Sequence, residues 1–415
     1  MPLSLQSTLV LPNGATLPNR LAKASMEENM AAPGQLPGEA IYGLYQAWAR
    51  GGAGLILTGN VMIDGRALTG PGGIVLDANT PLEPFKRWAN IARAGGAQLW
   101  MQINHPGRQV QAAMGGLAWA PSAIGLQLGK YSSRFGTPKA MSEAEIQEVI
   151  RRFGDTSAQA EAAGFSGVEI HAAHGYLISQ FLSPLSNQRD DQWGGNAVNR
   201  ARLLLAVVRE VRSRVSPGFV VAVKLNSADF QRGGFEASDA RQVVEWLNEL
   251  AVDLVELSGG SYESPAMQGS AADGKTLARE AYFLEFAKDI AAVARMPVMV
   301  TGGIRRKAVA EQVLAEGVAV VGMATALAIT PDLPRRWLAG EDAVAVPQEI
   351  HWQDKVKASI ARMSLVKRRL RILGARKTPA ASYSPLLSLI LDQLRLRKLT
   401  QRYRHWLLAQ GFKLR

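Results

Sequence analysis

The chain of 415 residues contains no cysteine. That excludes disulfides, a thiolate nucleophile and any iron–sulfur cluster, since each needs cysteine sulfur. Long apolar runs are also missing, and no window approaches the roughly 18 apolar residues that a membrane span requires. The N-terminal stretch MPLSLQSTLVLPNGATLPNR lacks a basic start, a long apolar segment and a small-residue cleavage site, so a cytoplasmic protein is expected. No GxGxxG follows the first candidate strand, which weakens an open dinucleotide-binding sheet, and no HExxH is present to suggest a helix-borne zinc site. Histidine is scarce at five residues.

Charge is plentiful but unevenly placed. The net charge is +12, yet residues 351–415 alone carry sixteen Lys or Arg against two acids, Asp354 and Asp392, a net +14 that leaves −2 for the first 350 residues. The main body therefore lacks the electrostatic footprint of a polyanion binder, and the basicity belongs to the tail.

Eight short apolar runs alternate with amphipathic helical stretches. The runs are NRLAKAS near 19, GAGLILTG near 52, GAQLWMQI near 96, GFSGVEIHA near 164, GFVVAVKLN near 218, VDLVELSG near 252, MPVMVTGG near 296 and VAVVGMA near 318. Continuous apolar strands with intervening helices imply an α/β fold with a parallel sheet covered by helices, and eight units favour a closed (β/α)8 TIM barrel over residues 1–345. Residues 106–141, rich in Gly, Pro and Ser, fall between strands three and four and are expected to cap the barrel mouth. Residues 346–415 are expected to form a basic helical extension, broken in the middle by GARKTPAASYSP. Ser384-Pro385 makes a good helix start, Gly411 a plausible stop, and Leu387, Ile390, Leu391 and Leu394 share a face.

Two histidines, His171 and His174, stand three residues apart in HAAHGYL, with Tyr176 two further on, where the fourth strand ends. In such a barrel the chemistry belongs at the C-terminal strand ends. His105 ends strand three, so three of the five histidines are expected at one rim. Two imidazoles can donate to a carbonyl or phenolate oxygen on which charge develops, and a nearby tyrosine can donate a proton. A metal is the competing use, although no third protein ligand is evident.

HAAHGYL, continued by SQFLSPLSNQRDDQWGGNAVNRARL, resembles the signature of the old yellow enzyme family of FMN-dependent ene-reductases, the NADH:flavin oxidoreductases. The likeness runs from LPNG at 11 to PDLP at 334. It implies a (β/α)8 barrel with FMN across the strand ends, NADH or NADPH as reductant, and hydride transfer to the β-carbon of an activated alkene. By the resemblance His171 and His174 hold the activating oxygen and Tyr176 protonates the α-carbon. Ala24, Ser25, Met26, Gly59, Gln102 and Lys224 would cradle the flavin, with Gly302, Gly303, Ala324 and Thr325 at the phosphate end. Gln102 would read the pyrimidine edge, and Lys224 would stabilise the reduced, anionic ring.

Two positions depart from the family's pattern. Ala324-Thr325 replaces a Gly-Arg that clamps the FMN phosphate in many relatives, and Arg305 or Arg306 is expected to take over part of that charge. Glu27 stands where relatives carry Thr or Cys near the flavin. It is counted with the substrate-binding residues, although it could instead cap a helix. The tail cannot be the iron–sulfur domain of larger relatives, because cysteine is missing. It is open to packing on the barrel or a second subunit, or to resting on an anionic membrane or an acidic partner; nucleic acid is disfavoured. Rival readings are flavin-dependent amine oxidation or demethylation, dienoate reduction, a metal-dependent barrel hydrolase, and a non-catalytic binding barrel.

Overall fold

In a strand, alternate residues point to opposite faces. The sequence exploits this eight times, with branched aliphatics on one parity and a graded set on the other. The structure, a computed structural model, describes residues 3–265, 281 and 283–414. Its barrel strands are β1 (Leu21–Lys23), β2 (Leu55–Leu57), β3 (Gln98–Asn104), β4 (Gly167–Ala172), β5 (Val220–Asn226), β6 (Leu254–Ser258), β7 (Val298–Thr301) and β8 (Val320–Met323). All pair in parallel with their neighbours, β8 returns to β1, and β3 pairs with both β2 and β4, so the sheet is closed. The chain is a (β/α)8 barrel, and the eight runs picked from the sequence are its eight staves.

Around it lie α1 (Glu39–Ala49), α2 (Glu83–Arg93), α3 (Glu143–Ala162), α4 (Ala197–Arg214), α5 (Ala237–Leu247), α6 (Leu284–Ala291), α7 (Lys307–Ala315) and a short α8 (Leu333–Leu338). Local signals explain the starts. Ser142 accepts from the Glu145 N–H while Glu145 accepts from the Ser142 N–H, a reciprocal cap that satisfies two orphan donors of α3.

The outward parity packs on these helices through Leu99, Met101, Ile103, Val168, Ile170, Val221, Val223, Val255, Leu257, Val298 and Val300. The inward parity is apolar only at the floor, where Ala22, Leu55, Trp100, Val220, Ala222, Leu254, Met299 and Val320 meet Leu9, Leu11 and Leu17 of an N-terminal hairpin. Gly167 is required there, because a Cβ would lie 2.6 Å from Val220 Cβ and 2.9 Å from Trp100 Cδ1. Above the floor the same parity turns polar.

The insertion at 106–141 folds into two 3-10 turns and a short parallel pair, Trp119–Ala120 with Lys139–Ala140. Arg108 bolts it to the loop after β6 through a buried ion pair with Glu263, 2.6 Å, so it lies over the strand ends.

The tail forms α9 (Lys355–Gly374) and α10 (Pro385–Ala409). Ser384 caps α10 by accepting from the Leu387 N–H, with Pro385 in the first turn, as the dipeptide implies. Helix α9 lies against α1 at two glycines: a Cβ on Gly43 would be 2.2 Å from the Gly374 carbonyl oxygen, and one on Gly374 would be 2.4 Å from that of Ala40. The C-terminal half of α10 seats on the loops after β1 and β2. Tyr403 is buried and donates to the Gly65 carbonyl (2.8 Å), Arg395 donates to Asn29 O, and Trp406 covers Gly65. No described helix is long and apolar enough to cross a membrane.

Candidate active site

Four consecutive strands each end in two inward polar residues spaced by two: Gln102 and Asn104 on β3, Glu169 and His171 on β4, Lys224 and Asn226 on β5, Glu256 and Ser258 on β6. Taken in order along each strand they form a lower layer, Gln102, Glu169, Lys224 and Glu256, and an upper layer, Asn104, His171, Asn226 and Ser258, staggered so that Lys224 stands opposite His171 in the β4–β5 register. All eight side chains are buried.

The lower layer is a hydrogen-bonded arc. Ser25 Oγ donates to Gln102 Oε1 (2.7 Å), Gln102 Nε2 donates to Glu169 Oε2 (2.5 Å), and Lys224 Nζ donates to Glu256 Oε1 (2.7 Å). Burial, and then the neighbouring Glu256, push the Glu169 carboxyl well above the ordinary carboxylate range. Glu169 Oε1 and Glu256 Oε2 have no other partner, so a proton held between the two carboxyls satisfies both. On the far side of the barrel Lys23 donates to Leu57 O (2.7 Å), and burial lowers its ammonium to about 8. Glu28 there accepts from Tyr45 and from the Gly59 N–H.

The upper layer carries the histidine pair. The His171 ring lies 5.0 Å from that of His174 and 4.8 Å, edge-on, from that of Tyr176. Burial, together with Lys224, pulls both imidazoles well below the usual histidine value, so both are neutral. His171 Nδ1 accepts the Ala173 N–H (3.2 Å), which leaves the ring proton on Nε2 as a donor. His174 Nε2 is 2.7 Å from Ser258 Oγ, and its backbone N–H donates to Asn226 Oδ1 (3.1 Å). His174 has φ +61°, the left-handed region that tolerates few side chains, histidine and asparagine among them. Tyr176 is buried, its hydroxyl is 3.1 Å from that of Tyr262, and burial followed by Tyr262 and Glu27 raises its phenol well above 10.

His105 does not join this cluster. Asn104 takes the inward position on β3, so the next residue turns outward; His105 stacks on Trp119 beneath the insertion, and burial lowers it to about 4. The rim holds two histidines of the expected three.

The remaining expected residues divide into rim and scaffold. Ser25, Met26, Gly302 and Ala324 are half-buried at the mouth, Gly303 and Thr325 are exposed there, and Ala24 is buried with its N–H donated to Met323 O. Gly302 and Gly303 both have positive φ (132° and 75°), which turns the backbone between β7 and α7 as an anion-binding loop needs. Arg305 and Arg306 follow at once and are exposed. Gly59 has a structural reason for lacking a side chain, since its Cβ would fall 2.0 Å from Glu28 Oε2. Lys224 is not a solvated strand-end lysine but is buried and paired. Glu27 caps no helix: it accepts from the Thr69 hydroxyl and from Asn29 Nδ2 (3.1 Å), joining the loops after β1 and β2.

Sequence reasoning missed Glu169, Glu256, Asn226, Ser258 and Tyr262. Four of these carry a readable signal, a polar residue two before or after another at an apolar strand's end. Tyr262 lies in a loop and has none. Among the described residues no group of three or more His, Asp or Glu side chains is arranged to hold a metal ion.

A parallel eight-stranded barrel whose mouth carries neutral imidazole donors, a buried lysine and a positive-φ glycine loop fits a flat, hydrogen-bonding cofactor that ends in a phosphate. The sequence profile of the NADH:flavin oxidoreductase / NADH oxidase family matches residues 10–342, and the chain belongs to that family, the old yellow enzyme group. It is 37% identical over 349 residues to the NADH-dependent flavin oxidoreductase iliE of Hypocrea jecorina, covering 79% of this chain and 87% of that one. It is 31% identical over 326 residues to the NADH oxidase of Thermoanaerobacter brockii, where it spans 77% of this chain but 48% of the relative. Among solved structures, the fold resembles the old yellow enzyme homologue of Zymomonas mobilis (TM-score 0.70, 24% identity, 82% of this chain and 94% of that one). It also resembles morphinone reductase in complex with tetrahydroNAD (TM-score 0.69, 23% identity, 83% and 93%). The protein is an FMN-dependent oxidoreductase of the NADH-linked kind.

Proposed function

We propose that this oxidoreductase reduces an electron-poor alkene whose activating oxygen is held by His171 and His174, with Tyr176 as the proton donor. The observation that carries the reading is the pair of neutral imidazoles at the barrel mouth with a buried tyrosine edge-on to one of them. When bound, FMN supplies hydride, itself obtained from NAD(P)H, to the alkene's β-carbon.

The chain's own residues supply geometry and protons. His171 Nε2–H donates to the substrate oxygen, and its tautomer is held by the Ala173 N–H. With the Ser258 hydroxyl donating to His174 Nε2, the second donor is His174 Nδ1–H. Neutral donors polarise a carbonyl without protonating it, and in a dry site each is worth far more than in water. The Tyr176 phenol stays protonated at every working pH and can deliver its proton to the α-carbon, while Tyr262, in hydrogen-bond range, can restore it. Lys224, Gln102 and Ser25 would meet the flavin ring. Gly302, Gly303, Ala324 and Thr325, helped by Arg305 and Arg306, would meet the phosphate. The same tautomers disfavour a metal-dependent hydrolase, because with His171 Nδ1 and His174 Nε2 accepting hydrogen bonds the other nitrogen of each ring carries the proton and has no lone pair to offer a metal.

Tyr176→Phe tests the reading. NADH should still bleach the flavin, while enone turnover should fall by about 10²- to 10⁴-fold, the usual share of a positioned acid. Unchanged turnover would remove the tyrosine from this role.

A further inference from the structure

The tail helices leave a surface that neither barrel nor cofactor explains. Of fifteen exposed large apolar side chains among the described residues, nine lie between Val356 and Phe412. Five of them, Leu386, Leu387, Ile390, Leu391 and Leu394, follow one another within nine residues of α10 and are 43–57% exposed. A 3.6-residue repeat puts them on the outer side of the helix, opposite Ser388, Asp392 and Leu399, which are buried. They occupy the N-terminal half of α10, beyond the half seated on the β1 and β2 loops.

The exposed charges of the tail itself are nearly all positive. Of the two acids between 351 and 415, Asp354 caps the start of α9, and Asp392 points inward to Arg371, 2.8 Å away, and is buried. The exposed cations Arg397 and Lys398 continue the outer face of α10, and Lys355, Lys357 and Arg362 are exposed on α9. Isolated apolar residues on a surface need no explanation, whereas a contiguous stripe does.

We propose that the outer face of α10 docks on an anionic lipid surface, with Leu386, Leu387, Ile390, Leu391 and Leu394 in the headgroup–acyl boundary and Arg397 and Lys398 on the lipid phosphates. The combination decides the occupant. A second copy of this chain would bring one +14 tail against another, and nucleic acid would leave the aliphatics in water. A bilayer with acidic lipid takes both the apolar and the cationic component. The helix is presented ready-made, because Arg371–Asp392 and the Arg368 bond to Ser388 Oγ (3.1 Å) lock α10 to α9. The contact is peripheral.

The test uses the full-length holoenzyme and sedimented vesicles of phosphatidylcholine alone or with one quarter phosphatidylglycerol. The parent should partition onto the acidic vesicles at least tenfold more than onto neutral ones, and lose most of that binding in high salt. The variant L387Q/I390Q/L391Q/L394Q should stay in the supernatant while keeping its flavin absorbance and its rate of bleaching by NADH. R397E/K398E, which leaves the aliphatics intact, guards against misfolding of the first variant and should lose acidic-lipid binding alone. A parent that remains in the supernatant with both vesicles overturns the proposal, as does equal partition of parent and variants. So does light scattering that shows a parent dimer which the glutamine variant converts to monomer, since the stripe would then be covered by a second subunit.

Discussion

At position 174 the backbone constrains the side chain as strongly as the chemistry does. With φ at +61° a β-branched residue is strained, whereas asparagine adopts this region readily. His174→Asn should therefore fold like the parent and keep one donor for the substrate oxygen. His174→Val should lose about 1–2 kcal/mol of stability from the strained backbone as well as the donor. Urea midpoints for the two variants check this, and equal midpoints would remove the conformational argument. His105 carries a different lesson. Its place at the end of β3 suggests a third member of the cluster, yet one residue of strand parity sends it under Trp119 instead.

At the scale of elements, the polar arc across β3 to β6 makes two glutamates unequal. Burial and then Glu256 push the Glu169 carboxyl up toward its protonated form, so Glu169→Gln should be nearly neutral for folding. Glu256 forms the buried ion pair with Lys224, and Glu256→Gln removes the partner of that lysine, a loss of about 3–5 kcal/mol. Thermal unfolding of both variants decides the matter; a larger loss for Glu169→Gln would reverse the proton assignment. The tail is similarly specific. Gly43→Leu places a side chain against the Gly374 carbonyl and should lift α9 off α1, exposing the tail to limited proteolysis ahead of the barrel. Protection equal to the parent's would argue against close docking there. That eight strands were legible while the arc was not has a simple cause: hydrophobic alternation marks a stave, but which polar residues meet across staves depends on barrel register.

For the whole molecule, buried imidazoles couple stability to pH. An unfolded histidine takes up its proton near pH 6.5, but in the fold His105 does so only at about 4, because burial penalises the charged ring. Between those values the unfolded chain binds more protons, so stability from this group is complete above about pH 6.5 and is lost as pH falls toward 4. The slope from His105 alone is up to about 1.4 kcal/mol per pH unit. His171 and His174, also depressed, act in the same direction. His105→Gln should flatten the fall in urea midpoint between about pH 7 and about pH 5; a slope equal to the parent's would place the dependence elsewhere. Arg305→Ala with Arg306→Ala should release FMN more readily, read as fluorescence of free flavin, if these cations serve the phosphate.

By itself the sequence determined the barrel, its helices, the helical tail with its charge, and the candidacy of His171, His174 and Tyr176, because periodicity, capping residues and a strand-end motif are local properties. Tertiary structure alone decided that His105 faces away, that Lys224 meets Glu256, that Glu169 is buried beside Glu256 and that Tyr262 reaches Tyr176. It also decided which face of α10 the barrel covers and which it leaves open. Those outcomes depend on burial and on register between strands far apart in the chain, and neither is written in any single stretch of residues.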